Sequence, residues 1–244
     1  MTDPLLSYLF DDNPHILARP ISQWLASSPR FKAFATTYRD KIRKKIRITQ
    51  GNGAGTKDLE AELAIAYWLL QERRFTVAYE PYGSEKKRGP DYAVTFKSMS
   101  FNVEVTRIGS RETRPVLPAP ELPVIDSQRA GGRLADTVCD KLGQMRPGMI
   151  NVLVVVMDSD YFWALDLNLA MAQLRERAER KEEGLFKRHG FTNGSDFFRQ
   201  YLRLSAVVVR TAVSEESTAH SSLWLNNQAK QALPGSIRAI LQRG

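Results

Sequence analysis

Two acidic residues bracket a stretch of alternating apolar and polar residues, and this pattern restricts the local fold more than any other feature of the sequence. Asp91 comes directly after a Gly-Pro pair, and Glu104 lies within the run 101–106. The runs 92–96 and 101–106 are rich in β-branched and aromatic residues, and a polar break at 97–100 separates them. Two such runs joined by a short polar turn predict a β-hairpin. One acid would open its first strand and the other would lie inside its second.

The expected geometry of this hairpin makes the two acids chemically unusual. Side chains alternate between the faces of a strand, so Glu104 shares a face with Asn102 and Thr106 while Val103 points the other way. A carboxylate buried in such a strand without a partner is costly. Two carboxylates on adjacent strands also repel each other unless a cation or a proton lies between them. Because Mg²⁺ binds a few carboxylate oxygens and retains water, the pattern indicates a magnesium site at Asp91 and Glu104.

Residues 1–50 predict an N-terminal helical extension. The Ser-Ser-Pro sequence at 27–29 is a helix-start signal, and apolar residues recur at three- and four-residue spacing over 31–46. The glycine-rich segment 51–55 ends this helix. We expect Thr56 to cap the next one.

The elements that follow are predicted in the order helix, three strands, helix and strand. The first helix, 56–74, carries its core residues on one stripe, and Glu62 lies beside that stripe. A strand at 75–80 precedes the hairpin, and a helix over 131–145 follows it. The apolar run 151–157 predicts a buried central strand.

The rest of the chain is less regular in pattern. Four prolines within 109–130 predict an irregular loop. Two helices, two strands and a terminal helical turn are expected at 165–184, 186–201, 204–211, 221–226 and 237–242. We therefore predict an α/β fold, with the helical extension at 1–50 and the α/β domain at 51–244.

The acids and the order of elements together resemble the PD-(D/E)XK nuclease superfamily. The resemblance covers about residues 56–157, with Asp91 opening one strand and Glu104 inside the next. It implies a restriction-endonuclease-like fold, in which helices flank a mixed central sheet. It also implies that Asp91 and Glu104 hold Mg²⁺ (or Mn²⁺), with the main-chain carbonyl of Val105 and the carboxylate of Glu62 as further ligands. The implied activity is hydrolysis of phosphodiester bonds.

Thr106 departs from the pattern of this superfamily, which has a lysine two residues after the second acid to help activate the attacking water. Threonine is neutral and cannot lower the pKa of a nearby water by charge. Three interpretations stay open. Lys141 could supply the amine from the inward face of the next helix, with Gln144 one turn on and Thr106 as further support. The metal alone could supply the acidity, or the site could bind without cleaving.

Basic residues lie on both sides of the acidic pair. The net charge is +8 and the pI is about 9.6, which favours polyanionic partners such as nucleic acid, although a simple solubility bias would give the same sum. We expect two clusters to grip backbone phosphates independently of base sequence. They are Arg43, Lys44 and Lys45, and Lys86, Lys87 and Arg88.

Several classes of function lack support in the sequence. No glycine motif for nucleotide phosphates is present, and Cys139 is the single cysteine, which excludes a disulfide framework and a cysteine-built zinc site. No apolar run approaches the roughly 18 residues that cross a bilayer, so no membrane contact and a cytoplasmic location are expected. The leading function is a magnesium-dependent nuclease acting on DNA, for which a homodimer would suit cleavage of both strands. The alternative is an inactive nuclease-fold module that binds nucleic acid or mediates protein assembly.

Overall fold

The computed structural model describes residues 3–83, 85, 89–109, 126–212 and 219–243. They form an α/β fold in which helices flank a six-stranded mixed sheet. The fold class predicted from the sequence, a mixed central sheet flanked by helices, is confirmed. None of the described helices combines the length and the hydrophobicity that crossing a bilayer requires.

The elements alternate between helical blocks and strands along the chain. The strands are β1 (Phe75–Tyr79), β2 (Tyr92–Phe96), β3 (Met99–Ile108), β4 (Ile150–Met157), β5 (Ala206–Thr211) and β6 (Ser221–Leu225). The helices before the sheet are α1 (Pro4–Phe10), α2 (Ala18–Ser27), α3 (Pro29–Thr37), α4 (Arg39–Thr49) and α5 (Gly53–Gln71). The later helices are α6 (Ser127–Leu142), α7 (Ser159–Ala164), α8 (Leu167–Glu179), α9 (Glu183–Arg188), α10 (Gly194–Tyr201) and α11 (Gly235–Leu241).

The strands lie in the sheet in their order along the chain. β1, β2 and β3 are antiparallel neighbours, β3, β4 and β5 run parallel, and β6 is antiparallel to β5. Parallel neighbours need long crossovers; here α6 lies in the connection from β3 to β4 and α7–α10 in that from β4 to β5. The predicted hairpin, the central position of β4 and the order helix, three strands, helix and strand are all confirmed.

Each face of the sheet packs on its own apolar core. Val103 and Val105 of β3 point into a core shared with α1–α5 and α11, whereas Ile108 points into a core shared with α6–α10. Val154 and Val155 of β4 are fully buried on opposite faces, as expected for a central parallel strand. The N-terminal helices therefore share one core with the sheet.

Two helix boundaries in the N-terminal half differ from the predictions. The apolar stripe over 31–46 spans two helices, because Tyr38 leaves the helical conformation (φ −106°, ψ 17°) and separates α3 from α4. α5 begins before Thr56, because the Asn52 side chain accepts a hydrogen bond from the Gly55 amide at 3.0 Å and caps the helix. Thr56 lies inside the first turn, where its hydroxyl donates to the Asn52 carbonyl at 3.0 Å.

The helices after the hairpin also differ in extent from the predictions. α6 begins at Ser127, inside the predicted loop 109–130, because Asp126 accepts a hydrogen bond from the Arg129 amide at 2.7 Å and caps it; residues 110–125 of that loop lie outside the described residues. Two helices were predicted at 165–184 and 186–201, whereas the structure has three in this region, α8, α9 and α10. The short helix α7 has no periodic signal and was not predicted.

Candidate active site

Three acids lie in one row across neighbouring strands. β2 and β3 pair Tyr92 with Val103, so the next residues along, Asp91 and Glu104, face each other. The amide of Glu80 donates to the carbonyl of Asp91 at 2.7 Å, which places Glu80 on the other side of Asp91. Since Asp91 hydrogen-bonds towards β1, its pairing with Glu104 is a non-hydrogen-bonded one, the kind in which side chains approach most closely.

Glu104 is the most buried member of this row, at 1% exposure. Lys141 reaches it from α6, with Nζ 2.7 Å from Oε1. The Gln144 amide also meets this carboxylate; because a carboxylate only accepts hydrogen bonds, the nitrogen is assigned to face it, at 2.8 Å from Oε1 and 3.0 Å from Oε2. The structure thus brings together the predicted residues Glu104, Lys141 and Gln144, and the catalytic role of Lys141 stays a prediction.

Asp91 is held in place by a hydrogen bond from β3. Its Oδ2 accepts a hydrogen bond from the Val105 amide at 2.8 Å. Burial and the negative charge of Glu104 raise the pKa of Asp91 to about 7, against the lowering effects of that amide and of Lys45 and Lys141. The two acids are therefore reluctant to be ionised together, as the sequence indicated.

The main-chain carbonyl of Val105 lies on the side of β3 that faces Asp91. In a strand, the amide and carbonyl of one residue point to the same neighbouring strand. The Val105 amide meets the Asp91 side chain instead of a backbone carbonyl, and β2 begins only at Tyr92. The Val105 carbonyl therefore faces the end of β2, beside the Asp91 carboxylate, as a metal ligand at this position would need to.

Glu62 approaches the row from α5 but is bound to a lysine. Lys45 Nζ lies 2.6 Å from Glu62 Oε1 and 2.9 Å from Glu80 Oε1, so Lys45 links the two acids. Burial and the charge of Asp91 raise the pKa of Glu62. Burial lowers the pKa of Lys45, but the carboxylates of Glu62 and Glu80 outweigh this effect and raise it.

A buried tyrosine hydroxyl lies beside the Glu62 carboxylate. Tyr79 is 1% exposed, and its Oη has no hydrogen-bond partner of good geometry among the described residues. Burial and the nearby Glu62 carboxylate raise the pKa of Tyr79 far above its usual range, so it is a neutral donor at this site. The neighbouring Tyr92 hydroxyl, in contrast, donates to the Glu62 carbonyl at 2.9 Å.

The donor set fits a hard divalent cation held by fewer protein ligands than predicted. Within the described ranges, no group of three His, Cys, Asp or Glu side chains is arranged to hold a metal ion. Lys45 binds the Glu62 carboxylate. Asp91, Glu104 and the Val105 carbonyl remain as oxygen donors. Mg²⁺ commonly binds through one or two carboxylates and retains several waters, so these three groups suit it, and Glu62 as a direct ligand stays a prediction.

The predicted phosphate-binding residues fall into different surroundings. Arg43 pairs with Asp11, Lys45 lies in the acidic cluster, and Lys44 is exposed on α4. Residues 86–88 of the second cluster lie outside the described residues. Thr106 is half-buried on β3 opposite Val155.

A cavity of about 410 Å³ opens onto the acids. Its lining includes Lys45, Glu80, Tyr82, Glu85 and Asp91. The Arg146 guanidinium stacks 4.2 Å from the Tyr82 ring centroid and pairs with Glu85 at 2.7 Å. A bound molecule can therefore reach Asp91 from solvent.

Sequence reasoning missed Glu80 and the role of Lys45. Glu80 follows β1 with a left-handed backbone (φ 45°), so strand periodicity does not place its side chain. The register of an antiparallel β1–β2 pair, counted back from the hairpin, would have set it beside Asp91. Lys45 belongs to a run of cations, and no local pattern shows which of them points inward.

Comparison with known protein families, curated proteins and solved structures gives no match to this chain. The site is therefore interpreted from its own geometry.

Proposed function

We propose that this chain is a metal-dependent nuclease that hydrolyses phosphodiester bonds of nucleic acid, with DNA as the leading substrate. The observation that supports it most is the contact of Lys141 Nζ with Glu104 Oε1 at 2.7 Å, where Glu104 faces Asp91 across the hairpin. An amine beside two facing acids and a strand carbonyl is the set that the PD-(D/E)XK resemblance implies. The lysine would come from α6 instead of position 106.

The residues of the chain have separable roles in this proposal. Lys141 places a positive charge where an attacking water would approach, which favours deprotonation of that water. Gln144 fixes the Glu104 carboxylate, and the Val105 amide fixes Asp91. Because the pKa of Asp91 is raised to about 7, this carboxyl must lose its proton before it can act as an anionic ligand.

Asp91, Glu104 and the Val105 carbonyl would hold the Mg²⁺ or Mn²⁺ ion. When bound, the ion supplies Lewis acidity towards a phosphate oxygen and an attacking water. Burial and the negative charge of Glu104 raise the pKa of Asp91, and a bound cation would favour its ionised form against both effects.

Nucleic acid would approach through the cavity beside Lys45, and the exposed Lys44 on the same helix would contact a backbone phosphate. The net charge of +8 supports a polyanionic partner. A cytoplasmic location fits Cys139, which is a free, buried thiol, since disulfides are rare in that compartment.

A cleavage assay on the purified protein tests the proposal. Plasmid DNA, single-stranded DNA and RNA are each incubated with EDTA, Mg²⁺ or Mn²⁺, and products are resolved on gels. We expect cleavage only with metal, and a fall of about 100-fold or more for Lys141→Met. Lys187→Met is the matched control, because Lys187 pairs with Glu183 at 2.8 Å but its side chain is 77% exposed.

The outcomes separate this function from its alternatives. DNA binding without cleavage in any metal, and without a metal-induced rise in Tm, would favour the inactive binding module. Absence of both cleavage and binding would favour a structural role for the acids. Full activity of Lys141→Met would show that this lysine has no role in the mechanism. Full activity of Glu104→Gln would show that the active site lies elsewhere.

A further inference from the structure

A second unusual charge lies in β5, away from the acidic row. Arg210 follows three fully buried valines in that strand and is itself 5% exposed. It pairs with Val156 of β4 and Ser221 of β6. Its guanidinium carbon lies 4.1 Å from the ring centroid of Trp68 in α5, so it points into the space between the sheet and that helix.

Among the residues that the structure describes, no acid pairs with Arg210. No ion pair to it occurs in the described part of the chain, and its Nη1 is buried without a hydrogen-bond partner. Burial alone lowers the pKa of Arg210 to about 10. Stacking on an aromatic face offsets only part of the cost of burying a cation. Arg210 therefore offers an unused donor and an unbalanced positive charge to any anion that reaches it.

Two adjoining cavities reach Arg210. The larger, of about 430 Å³, and the smaller, of about 200 Å³, share Trp68, Gln71, Arg210 and Ala219 in their linings. The smaller cavity continues between mainly apolar side chains, including Trp24 and Ile65. Cavities with apolar walls and one convergent charged group are typical ligand sites.

The other charged groups of the larger cavity do not neutralise Arg210. Glu72 lines this cavity, but both of its carboxylate oxygens bind Arg74, at 2.7 and 2.8 Å. Arg243 adds a second cation to the lining. The charge balance therefore favours an anionic ligand over a cationic or a neutral one.

We propose that Arg210 and these cavities form a binding site for a small organic oxyanion, a flat apolar body that carries one carboxylate or phosphate group. The oxyanion would accept hydrogen bonds from Arg210 Nη1, since guanidinium groups bind carboxylates and phosphates strongly. The apolar body would occupy the smaller cavity against Trp24. This site does not depend on the nuclease activity proposed above.

Calorimetric titration of the full chain with three probes tests this site. Benzoate and phenyl phosphate carry the two kinds of oxyanion, and benzamide has a similar shape without charge. We expect one equivalent of benzoate or phenyl phosphate to bind and to change tryptophan fluorescence, with benzamide at least about tenfold weaker. The stronger of the two anions identifies the preferred oxyanion.

Two variants test the geometry. Arg210→Met should weaken the binding of the anion at least about tenfold, while Arg175→Met, which breaks a surface pair with Glu179 (2.7 Å), should leave it unchanged. Ala64→Leu fills the smaller cavity without changing charge and should also block binding, which covers the case that Arg210→Met fails to fold. No binding of either anion at millimolar concentration, equal binding of benzamide, or full binding by either cavity variant would overturn the proposal.

Discussion

Replacement of Asp91 by asparagine should stabilise the metal-free protein, and the gain should depend on pH. The pKa of Asp91 rises from 3.8 to about 7 on folding, through burial and the charge of Glu104. The folded state then binds a proton more tightly than the unfolded state between these two values. Stability from this group is therefore fully present below about pH 4 and is lost as pH rises towards 7.

The size of the effect follows from the shift. Each pKa unit corresponds to roughly 1.4 kcal/mol, so roughly three units set an upper value of about 4 kcal/mol, and relaxation around the charge reduces this to about 2–4 kcal/mol. Asparagine is neutral, and its oxygen can still accept the Val105 amide. The free energy of unfolding of Asp91→Asn should therefore match the wild type near pH 4 and exceed it by about 2–4 kcal/mol at pH 8.

Urea denaturation in EDTA across pH 4–8 measures this difference. Asp196→Asn is the control of opposite sign, because backbone and side-chain hydrogen bonds, first that of the Thr192 amide, lower the pKa of Asp196; its loss should destabilise the protein above pH 4. Mg²⁺ at about 100 times its Kd should then stabilise the wild type by about 2.7 kcal/mol and leave Asp91→Asn unchanged. An Asp91→Asn variant that is less stable than wild type at pH 8 would refute the electrostatic reasoning.

Three further changes test hydrogen bonds that stabilise the fold. Asn151 is fully buried, and its side-chain amide forms hydrogen bonds with Asn102 and with four backbone groups. Asn151→Ala should therefore lower the free energy of unfolding by about 3 kcal/mol or more, measured by urea denaturation, because the buried partners lose their hydrogen bonds. Ser28 caps α3 by accepting the Phe31 amide at 3.2 Å, so Ser28→Ala should cost about 1 kcal/mol, while Ser27→Ala should cost clearly less. Arg30 donates to three backbone carbonyls at the turn between α5 and β1, so Arg30→Met should lower Tm by several degrees, corresponding to about 2 kcal/mol; an unchanged Tm would show that these bonds contribute nothing.

Much of the central architecture could be predicted because its signals are local. Strand alternation identified the hairpin, and the apolar run 151–157 identified β4, because a parallel strand that is buried on both faces is apolar along most of its length. Lys141 lies 2.7 Å from Glu104, on the side of α6 that helical spacing turns towards the sheet, and its catalytic role stays a prediction. Helix ends were less predictable, since a single cap such as Asn52 or Asp126 decides them.

The parts that could not be predicted depend on contacts between distant segments. Lys45 is separated by 17 positions from Glu62, and nothing in a run of cations shows which one turns inward. Arg210 carried a visible signal, a lone charge in an apolar strand, but its neighbour Trp68 comes from another element. Tertiary packing determines which neighbours such side chains meet, and sequence periodicity does not predict that packing.

Because Lys45 lies on α4, the N-terminal helical segment supplies the cation that pairs with Glu62 and Glu80 in the acidic cluster. A fragment beginning after residue 50 would lose this ammonium group and leave Glu62 and Glu80 facing Asp91 without it. Such a fragment would also expose the rings of Tyr79 and Tyr92, against which Phe34 and Tyr38 pack. Exchange of residues 1–50 for an unrelated segment would therefore remove two things at once: the helices that pack on the rest of the fold, and the ammonium group that pairs with Glu62 and Glu80.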